Sequence, residues 1–248
     1  MKNASSPQKT MAGLPFISVV IAAYNEEKYL PYCLEALQQQ TYPRTNFEII
    51  VVDNNSTDKT AAIAKAAGAK IITEKRQGNI FAVTTGMTKA EGEIIATTDA
   101  DTIPHANWLQ KIAETLQPKE IIGLTGAITL EIKNPLKRVI AEKIYDLFQQ
   151  VHFFIGKPNF SGFNLAVKRK SFHKVGGIDM DYKMSCDVDL GLRLGETGKV
   201  VYAKDVIATT SLRRWEKGFF KTFGEYASSY VYVTWLRKPS PVSQSIVR

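Results

Sequence analysis

The stretch FISVVIAAYNEE, residues 16–27, decides the fold of this 248-residue chain. Its first eight residues are mostly apolar and β-branched without alternation, which is typical of a parallel strand covered on both faces. A polar turn, 24–26, follows at once, and 27–40 then shows apolar residues at helical spacing. We therefore predict the first strand–turn–helix unit of an α/β sheet.

The same unit returns three times along the first half of the chain. Predicted strands are 47–52, 70–73 and 93–98, and the helices after them are 60–67, 80–90 and one from Pro104 to 116. Ser56 or Thr57 is expected to cap the first of these helices. Because parallel strands need crossover connections, the alternation predicts a mostly parallel sheet flanked by helices. The second half is less regular, with strands predicted at 121–130, 160–167 and 200–202 and helices at 135–155, 187–194 and 215–235.

Polar residues follow the predicted strands at their carboxyl ends, in segments 24–26, 53–58 and 99–101. In an open α/β sheet the ligand site forms at that edge. Asp53 has two interpretations: it accepts hydrogen bonds from a ligand, or it belongs to a polar turn that caps the next helix. The three turns together predict a binding site at this edge of the sheet.

The pair Asp99 and Asp101 indicates a cation site at the same edge. Side chains two apart at a strand end point the same way, so both carboxylates can face one ion. Mg²⁺ and Mn²⁺ prefer such oxygen ligands and bridge protein carboxylates to a diphosphate. The same spacing recurs at 179–181 and 187–189, so a structural or solvated role is the alternative.

Composition and charge bound the class of protein. The chain is 44% hydrophobic and 23% charged, which excludes a disordered or collagen-like protein. Of the net charge of +8, the segment 210–248 contributes +5, a patch that favours phosphates, anionic lipid or nucleic acid. The sequence contains only two cysteines, its N-terminus is unlike a signal peptide, and it has no run of about 18 apolar residues. These features predict a cytoplasmic location, with the inner face of the cell membrane as the alternative.

The quoted turns and several later motifs resemble family 2 glycosyltransferases. The resemblance covers residues 15–215, which we predict to be the catalytic domain, after a flexible segment 1–14. The motifs are IAAYNEE (21–27), VDNNSTD (52–58), TDAD (98–101), GFNLAVK (162–168), VGGID (175–179) and CDVDLGLRL (186–194). Because they agree in order and spacing, the resemblance is specific to the family.

This resemblance implies a nucleotide-diphospho-sugar transferase of the GT-A fold, in which each matching position has an expected role. Residues implied in nucleotide-sugar binding are Ala23, Tyr24, Glu26, Asp53, Arg76, Gly78, Asp99 and Ala100. Asp99 and Asp101 match the acids that face a metal-bound diphosphate, with Mn²⁺ or Mg²⁺ as cofactor. Asp187 matches the general base. Residues implied at the acceptor are Gly162, Asn164, Arg214 and Trp215.

The implied reaction is one direct displacement that inverts the anomeric centre, with Asp187 taking the acceptor proton. Three positions depart from the family pattern: Val83-Thr84 replaces Arg-Asn, Cys186 replaces a glutamate, and Ser211 replaces a glutamine. Two other functions stay open at this point. One is a sugar-phosphate nucleotidyltransferase, and the other is a non-catalytic nucleotide-sugar binding protein.

The terminal segment 216–248 is predicted to contain an amphipathic helix rich in aromatic and basic residues. Its apolar stripe either packs on the domain or contacts an anionic membrane and a lipid-linked acceptor. A saccharide or lipid-linked acceptor in envelope polysaccharide or glycolipid synthesis is therefore expected. Nucleic acid is not an expected partner, because aspartates gather where its phosphates would lie.

Overall fold

The computed structural model describes residues 13–213 and 219–241, the side chains of 219–223 excepted. The strands are β1 (Ile17–Ala23), β2 (Phe47–Asp53), β3 (Lys70–Thr73), β4 (Ile94–Asp99), β5 (Thr102–Pro104), β6 (Ile121–Leu130), β7 (Leu165–Lys168) and β8 (Lys199–Thr210). The helices are α1 (Leu30–Gln38), α2 (Thr60–Ala66), α3 (Asn79–Lys89), α4 (Trp108–Leu116), α5 (Pro135–Phe154), α6 (Arg169–Lys174), α7 (Cys186–Gly195) and α8 (Phe219–Tyr230). A 3₁₀ turn covers Arg44–Asn46, and a π-helical turn, Val231–Trp235, continues α8.

The strands form one sheet in the order β3-β2-β1-β4-β7-β6-β8-β5. The first four run parallel, which confirms the architecture predicted from the repeated strand–helix units. The second half is mixed, because β7 runs antiparallel to both β4 and β6, while β8 pairs parallel with β6. Within the described residues, no helix has both the length and the apolar character needed to cross a bilayer.

The sheet separates two apolar layers. Alternate residues of β1 point to opposite faces, as in any strand. Val19 belongs to the layer that contains α1 and α4, and Val20 belongs to the layer that contains α3. Gly86 lets α3 approach the sheet, since a Cβ at that position would lie 2.4 Å from a Val20 methyl group. The strand ends are thereby held between packed helices.

Three predicted elements differ from the structure. The helix predicted from Pro104 begins at Trp108, because Thr102–Pro104 pairs with β8 as a short antiparallel strand. The strand predicted at 160–167 is reduced to β7, because the residues before it form a loop. The strand predicted at 200–202 extends to Thr210, since β6 supplies a partner along its length.

The cap of α2 also differs from the prediction. Neither Ser56 nor Thr57 caps this helix: the N-cap position is Lys59, which has no side-chain cap hydrogen bond. The side chain of Asp58, one residue earlier, accepts the Thr60 N–H at 2.9 Å. Ser56 is engaged elsewhere, because its hydroxyl accepts the Asn25 N–H at 3.0 Å. The tertiary contact between the two turns therefore occupies the hydroxyl group that the sequence offered as a cap.

Candidate functional site

The carboxyl ends of β1, β2 and β4 lie side by side. Ala23 is in register with Asp53, and Ala22 is in register with Asp99. The polar turns after these strands therefore open on one edge of the sheet, as predicted. Ala23 and Asp53 are buried at the strand ends, and Tyr24 is partly exposed beside them.

Backbone amides of the turn after β1 are bound by side chains of the turn after β2. Asn25 adopts a left-handed conformation, with φ 54°, and its side-chain oxygen accepts the Thr57 N–H at 2.8 Å. The Glu26 N–H donates to the Thr60 hydroxyl at 2.7 Å, and the Glu27 N–H donates to Asp58 at 3.0 Å. These contacts fix the relative positions of two segments that would face a ligand.

Asn54 organises a third segment and was missed by sequence reasoning. Its amide nitrogen donates to the carbonyl oxygens of Glu74 and Arg76 at 2.8 and 2.7 Å, and its oxygen accepts the Gly78 N–H at 2.7 Å. Its position directly after the strand-end aspartate was the available signal. Gly78 has a φ of 137°, a backbone conformation that residues other than glycine rarely adopt. Asn54 thus holds the loop that leads into α3.

Arg76 is paired within this loop. Its guanidinium donates to both carboxylate oxygens of Glu74, at 3.0 and 2.8 Å, and lies over the ring of Phe81. The hydrogen bonds from Arg76 and Thr85 lower the pKa of Glu74 to about 2. The structure therefore places Arg76 near the Gly78 turn, as an exposed cation anchored by a buried acid.

Arg213 joins two of the predicted site acids. It donates to both oxygens of the fully buried Glu26 at 3.1 and 3.0 Å, and to Asp101 Oδ2 at 2.7 Å. Its guanidinium also lies 4.3 Å from the centre of the Tyr29 ring. Burial lowers the pKa of Arg213, but the hydrogen bonds to the two acids raise it above its usual value overall. Glu26 therefore positions the Arg213 guanidinium at the edge of the sheet where the polar turns open.

Ser211, one of the departures from the family pattern, also contacts Asp101. Its hydroxyl donates to Asp101 Oδ2 at 2.9 Å. The same oxygen accepts from Arg213, so the segment after β8 holds the second acid of the pair. Nothing local in the sequence links Arg213 to Glu26, because the two residues are 187 positions apart.

The donor set of Asp99 and Asp101 fits a divalent cation that is shared with a diphosphate. Both are carboxylates at the end of β4, and Mg²⁺ is usually bound through one or two carboxylates plus substrate phosphates. Among the residues that the structure describes, no group of three His, Cys, Asp or Glu side chains forms a site for a metal alone. The residues present therefore fit an ion that arrives with a nucleotide.

Asp187, the second residue of α7, faces the loop before β7. Its two oxygens accept the N–H groups of Gly162 and Val188 at 2.6 and 3.0 Å. Burial is the main cause that raises the pKa of Asp187, which is about 6 overall. The two hydrogen bonds lower this pKa, and the nearby charge of Asp99 raises it. A Cβ at position 162 would lie 3.2 Å from Asp187 Oδ2, so glycine allows this close approach.

A hydrogen-bonded group from α5 supports the same loop. The hydroxyl groups of Tyr145 and Ser161 are 2.8 Å apart, and the Gln149 amide donates to Tyr145 at 2.9 Å. Burial raises the pKa of Tyr145 to about 12, so the phenol stays protonated. Sequence reasoning missed these residues, because a tyrosine and a glutamine on a long helix show no local sign of a site.

Several predicted site residues do not line the edge with their side chains. Asn164 is fully buried: its oxygen accepts from the Trp108 indole at 2.8 Å, and its nitrogen donates to the carbonyls of Ala127 and Val206. The side chain of Ala100 is also buried in the core. Arg214 and Trp215 lie outside the described residues.

Cys186, which replaces a family glutamate, is partly buried beside Asp187. Burial raises the pKa of its thiol, and the charge of Asp187 raises it further. Cys186 is therefore a protonated thiol and adds no charge to the position before the candidate base.

The architecture is that of a GT-A glycosyltransferase. Its mostly parallel sheet has three polar turns on one edge, two acids follow β4, and a further acid faces the loop before β7. The family model described as "Glycosyl transferase family 2" matches residues 18–176. The chain therefore belongs to glycosyl transferase family 2 and is a glycosyltransferase.

Two relatives are similar in sequence. "Glycosyltransferase AglE" of Haloferax volcanii is 33% identical over 78% of this chain and 66% of its own length. A Methanococcus voltae protein named "Dolichyl N-acetyl-alpha-D-glucosaminyl phosphate 3-beta-D-2,3-diacetamido-2,3-dideoxy-beta-D-glucuronosyltransferase" is 27% identical over 89% of this chain and 77% of its own length. The chain thus spans about two thirds to three quarters of these relatives.

Two solved structures share the fold. "Mannosyltransferase PcManGT from Pyrobaculum calidifontis in complex with GDP-Man and Mn2+" has a TM-score of 0.71 at 21% identity, over 92% of this chain and 66% of that one. "S. aureus TarS 1-349 in complex with UDP-GlcNAc" has a TM-score of 0.64 at 18% identity, over 79% of this chain and 58% of that one. The likeness confirms the GT-A fold that the sequence predicted.

Proposed function

We propose that the chain transfers a sugar from a nucleotide-diphosphate donor to an acceptor hydroxyl with inversion of the anomeric centre, and that Asp187 is the general base. The observation that supports this most is the raised pKa of Asp187, about 6, at the edge where the strand ends meet. A base is most effective when its pKa is near the working pH. The amides of Gly162 and Val188 would hold its carboxylate in place as it takes the acceptor proton.

The donor would lie across the three strand ends. Asp53 and Tyr24 would contact the nucleoside beside Ala23, and the loop held by Asn54 would close one side of the site. Asp99 and Asp101 would hold Mn²⁺ or Mg²⁺ together with the diphosphate. When bound, such an ion supplies Lewis-acid stabilisation of the departing nucleotide diphosphate.

The acceptor in this proposal is a lipid-linked saccharide of envelope glycolipid or polysaccharide synthesis. The Methanococcus voltae relative, whose name describes a dolichyl-linked sugar phosphate as acceptor, supports this choice. The loop of Gly162, next to Asp187, would receive the acceptor hydroxyl. Arg214 and Trp215, outside the described residues, stay predicted acceptor contacts.

The test combines donor turnover with product stereochemistry. GDP- and UDP-sugars are screened with and without Mn²⁺ for nucleotide release, and the product of the active donor is examined by NMR. We expect an α-linked donor to give a β-linked product. D187N should lower turnover at least about 100-fold, the range usual for loss of a positioned base. D101N should lower turnover by a similar factor, of about 100-fold, because it removes a carboxylate that would hold the ion.

D181N is the matched control, because Asp179 and Asp181 repeat the same spacing at an exposed loop. It should keep wild-type turnover. Retention of the anomeric configuration, or full turnover by a D99N/D101N double variant in EDTA, would refute the mechanism. Saturable donor binding without any transfer would instead favour a non-catalytic binding protein.

A further inference from the structure

One side of α5 is apolar and exposed to solvent. The outer face of α5 consists of Leu136, Ile140, Ile144, Leu147, Val151 and Phe154. Ile144 and Leu147 are each more than 60% exposed, and Phe154 is 90% exposed. Soluble proteins rarely expose so many large apolar side chains together unless the patch binds something.

The chain after α8 extends this apolar surface. The Lys157 ammonium lies 5.8 Å from the centre of the Trp235 ring, and the rings of Phe148 and Tyr230 are 5.9 Å apart. These contacts bring the terminal turn to the end of α5. Trp235 is itself half exposed, together with the neighbouring Leu236. Tryptophan beside basic residues is common where proteins meet the headgroup region of a bilayer.

Cations flank the outer face of α5. Lys133, Lys137 and Lys143 are exposed along the helix and just before it. The acids of the helix are turned elsewhere, since Glu142 accepts the Leu130 N–H at 3.0 Å and Asp146 pairs with Lys204. An apolar stripe between cations is complementary to a surface that offers acyl chains below and negative charge above.

We propose that the outer face of α5 docks on an anionic lipid bilayer, with the helix lying in the plane of the interface. Two copies of the chain pairing through this face would bring their lysines together, which disfavours a dimer. This inference goes beyond sugar transfer. It places a different element on the membrane from the terminal helix considered in the sequence analysis.

Docking through this helix would connect the membrane to the candidate site. The inner side of α5 contributes Tyr145, which contacts Ser161, and the next residue, Gly162, binds the Asp187 carboxylate. A lipid-linked acceptor could then reach Asp187 without leaving the bilayer. That last consequence rests on the proposed function, whereas the docking itself does not.

Co-sedimentation of the full chain with vesicles tests the proposal. We expect binding to vesicles of 7:3 phosphatidylcholine and phosphatidylglycerol, weaker binding at high salt, and much weaker binding to phosphatidylcholine alone. The I144Q/L147Q variant removes two apolar contacts without changing charge, and its partition coefficient should fall at least about tenfold.

The matched control is Y32Q/M180Q, which removes two exposed apolar side chains from other parts of the chain. It should bind vesicles like the wild type, and both variants should keep wild-type nucleotide binding without lipid. The proposal is wrong if the wild type does not bind the anionic vesicles, or if I144Q/L147Q binds as well as the control. The proposal is also wrong if the wild type forms a dimer in sedimentation, the I144Q/L147Q variant is monomeric, and neither protein binds vesicles. Loss of vesicle binding with intact donor turnover would leave the proposed transfer standing.

Discussion

Replacing Asp187 by asparagine should change the stability of the protein in a way that depends on pH. The carboxyl group normally has a pKa of 3.8, and burial raises the pKa of Asp187 to about 6. Between these two values the folded chain keeps a proton that the unfolded chain has released. Stability contributed by this proton is present below pH 3.8 and is lost as pH rises to about 6.

The size of the effect follows from the two pKa values. At 1.36 kcal/mol per pKa unit, the wild type loses about 3 kcal/mol of unfolding free energy across this window, and asparagine loses none of it. At pH 4 the wild-type carboxyl is protonated and, like the asparagine amide, offers one strong acceptor to the N–H groups of Gly162 and Val188, so the two side chains should differ there by less than about 1 kcal/mol. D187N should therefore be about as stable as the wild type at pH 4 and about 2–3 kcal/mol more stable at pH 8.

Urea unfolding at pH 4, 6 and 8 measures the difference directly. D181N, which removes an exposed acid from the same segment, controls for the loss of one negative charge. A gap between D187N and the wild type that stays constant from pH 4 to pH 8 would refute the argument that burial raises this pKa. If D187N is more stable than the wild type at pH 8 but has lost turnover, the carboxylate of Asp187 destabilises the folded protein and is retained for catalysis.

Two further predictions concern residues that hold the ligand edge. R213M leaves the buried Glu26 and the neighbouring Asp101 without the guanidinium, which should lower stability by about 3 kcal/mol and the melting temperature by about 6–12 °C. The control, R193M, breaks a comparably buried ion pair between Arg193 and Asp189 on α7. Differential scanning fluorimetry should show a similar loss of melting temperature for both variants. Only R213M should also weaken nucleotide binding. A drop below about 2 °C for R213M would contradict the assigned role. N54A removes three hydrogen bonds to residues 74–78, so hydrogen exchange in that loop should rise at least about tenfold. N55G, which loses exposed hydrogen bonds only and tolerates the φ of 63° at that position, should leave this exchange within about twofold. Equal exchange rates in N54A and N55G would contradict the role of Asn54 in holding the loop.

Much of the fold was predictable because its signals are local. A continuous apolar run predicts a covered strand, and a crossover helix between two such runs predicts parallel pairing. The strands β1 to β4 and their register at one edge follow from these rules. The acids after β4 were predictable for the same reason, since they follow directly on a recognisable strand, whereas Asp187 was identified only by the resemblance to the family.

What the sequence by itself determined, therefore, is the kind of sheet and the edge of the sheet at which the polar turns and the two acids after β4 lie. Tertiary structure alone decided that Arg213 crosses 187 positions to bind Glu26, and that the fragment Thr102–Pro104 becomes a strand beside β8. It also decided that Asn164 belongs to the core. The physical reason is that the charge balance and burial of a side chain depend on neighbours distant in the chain, which no local spacing encodes.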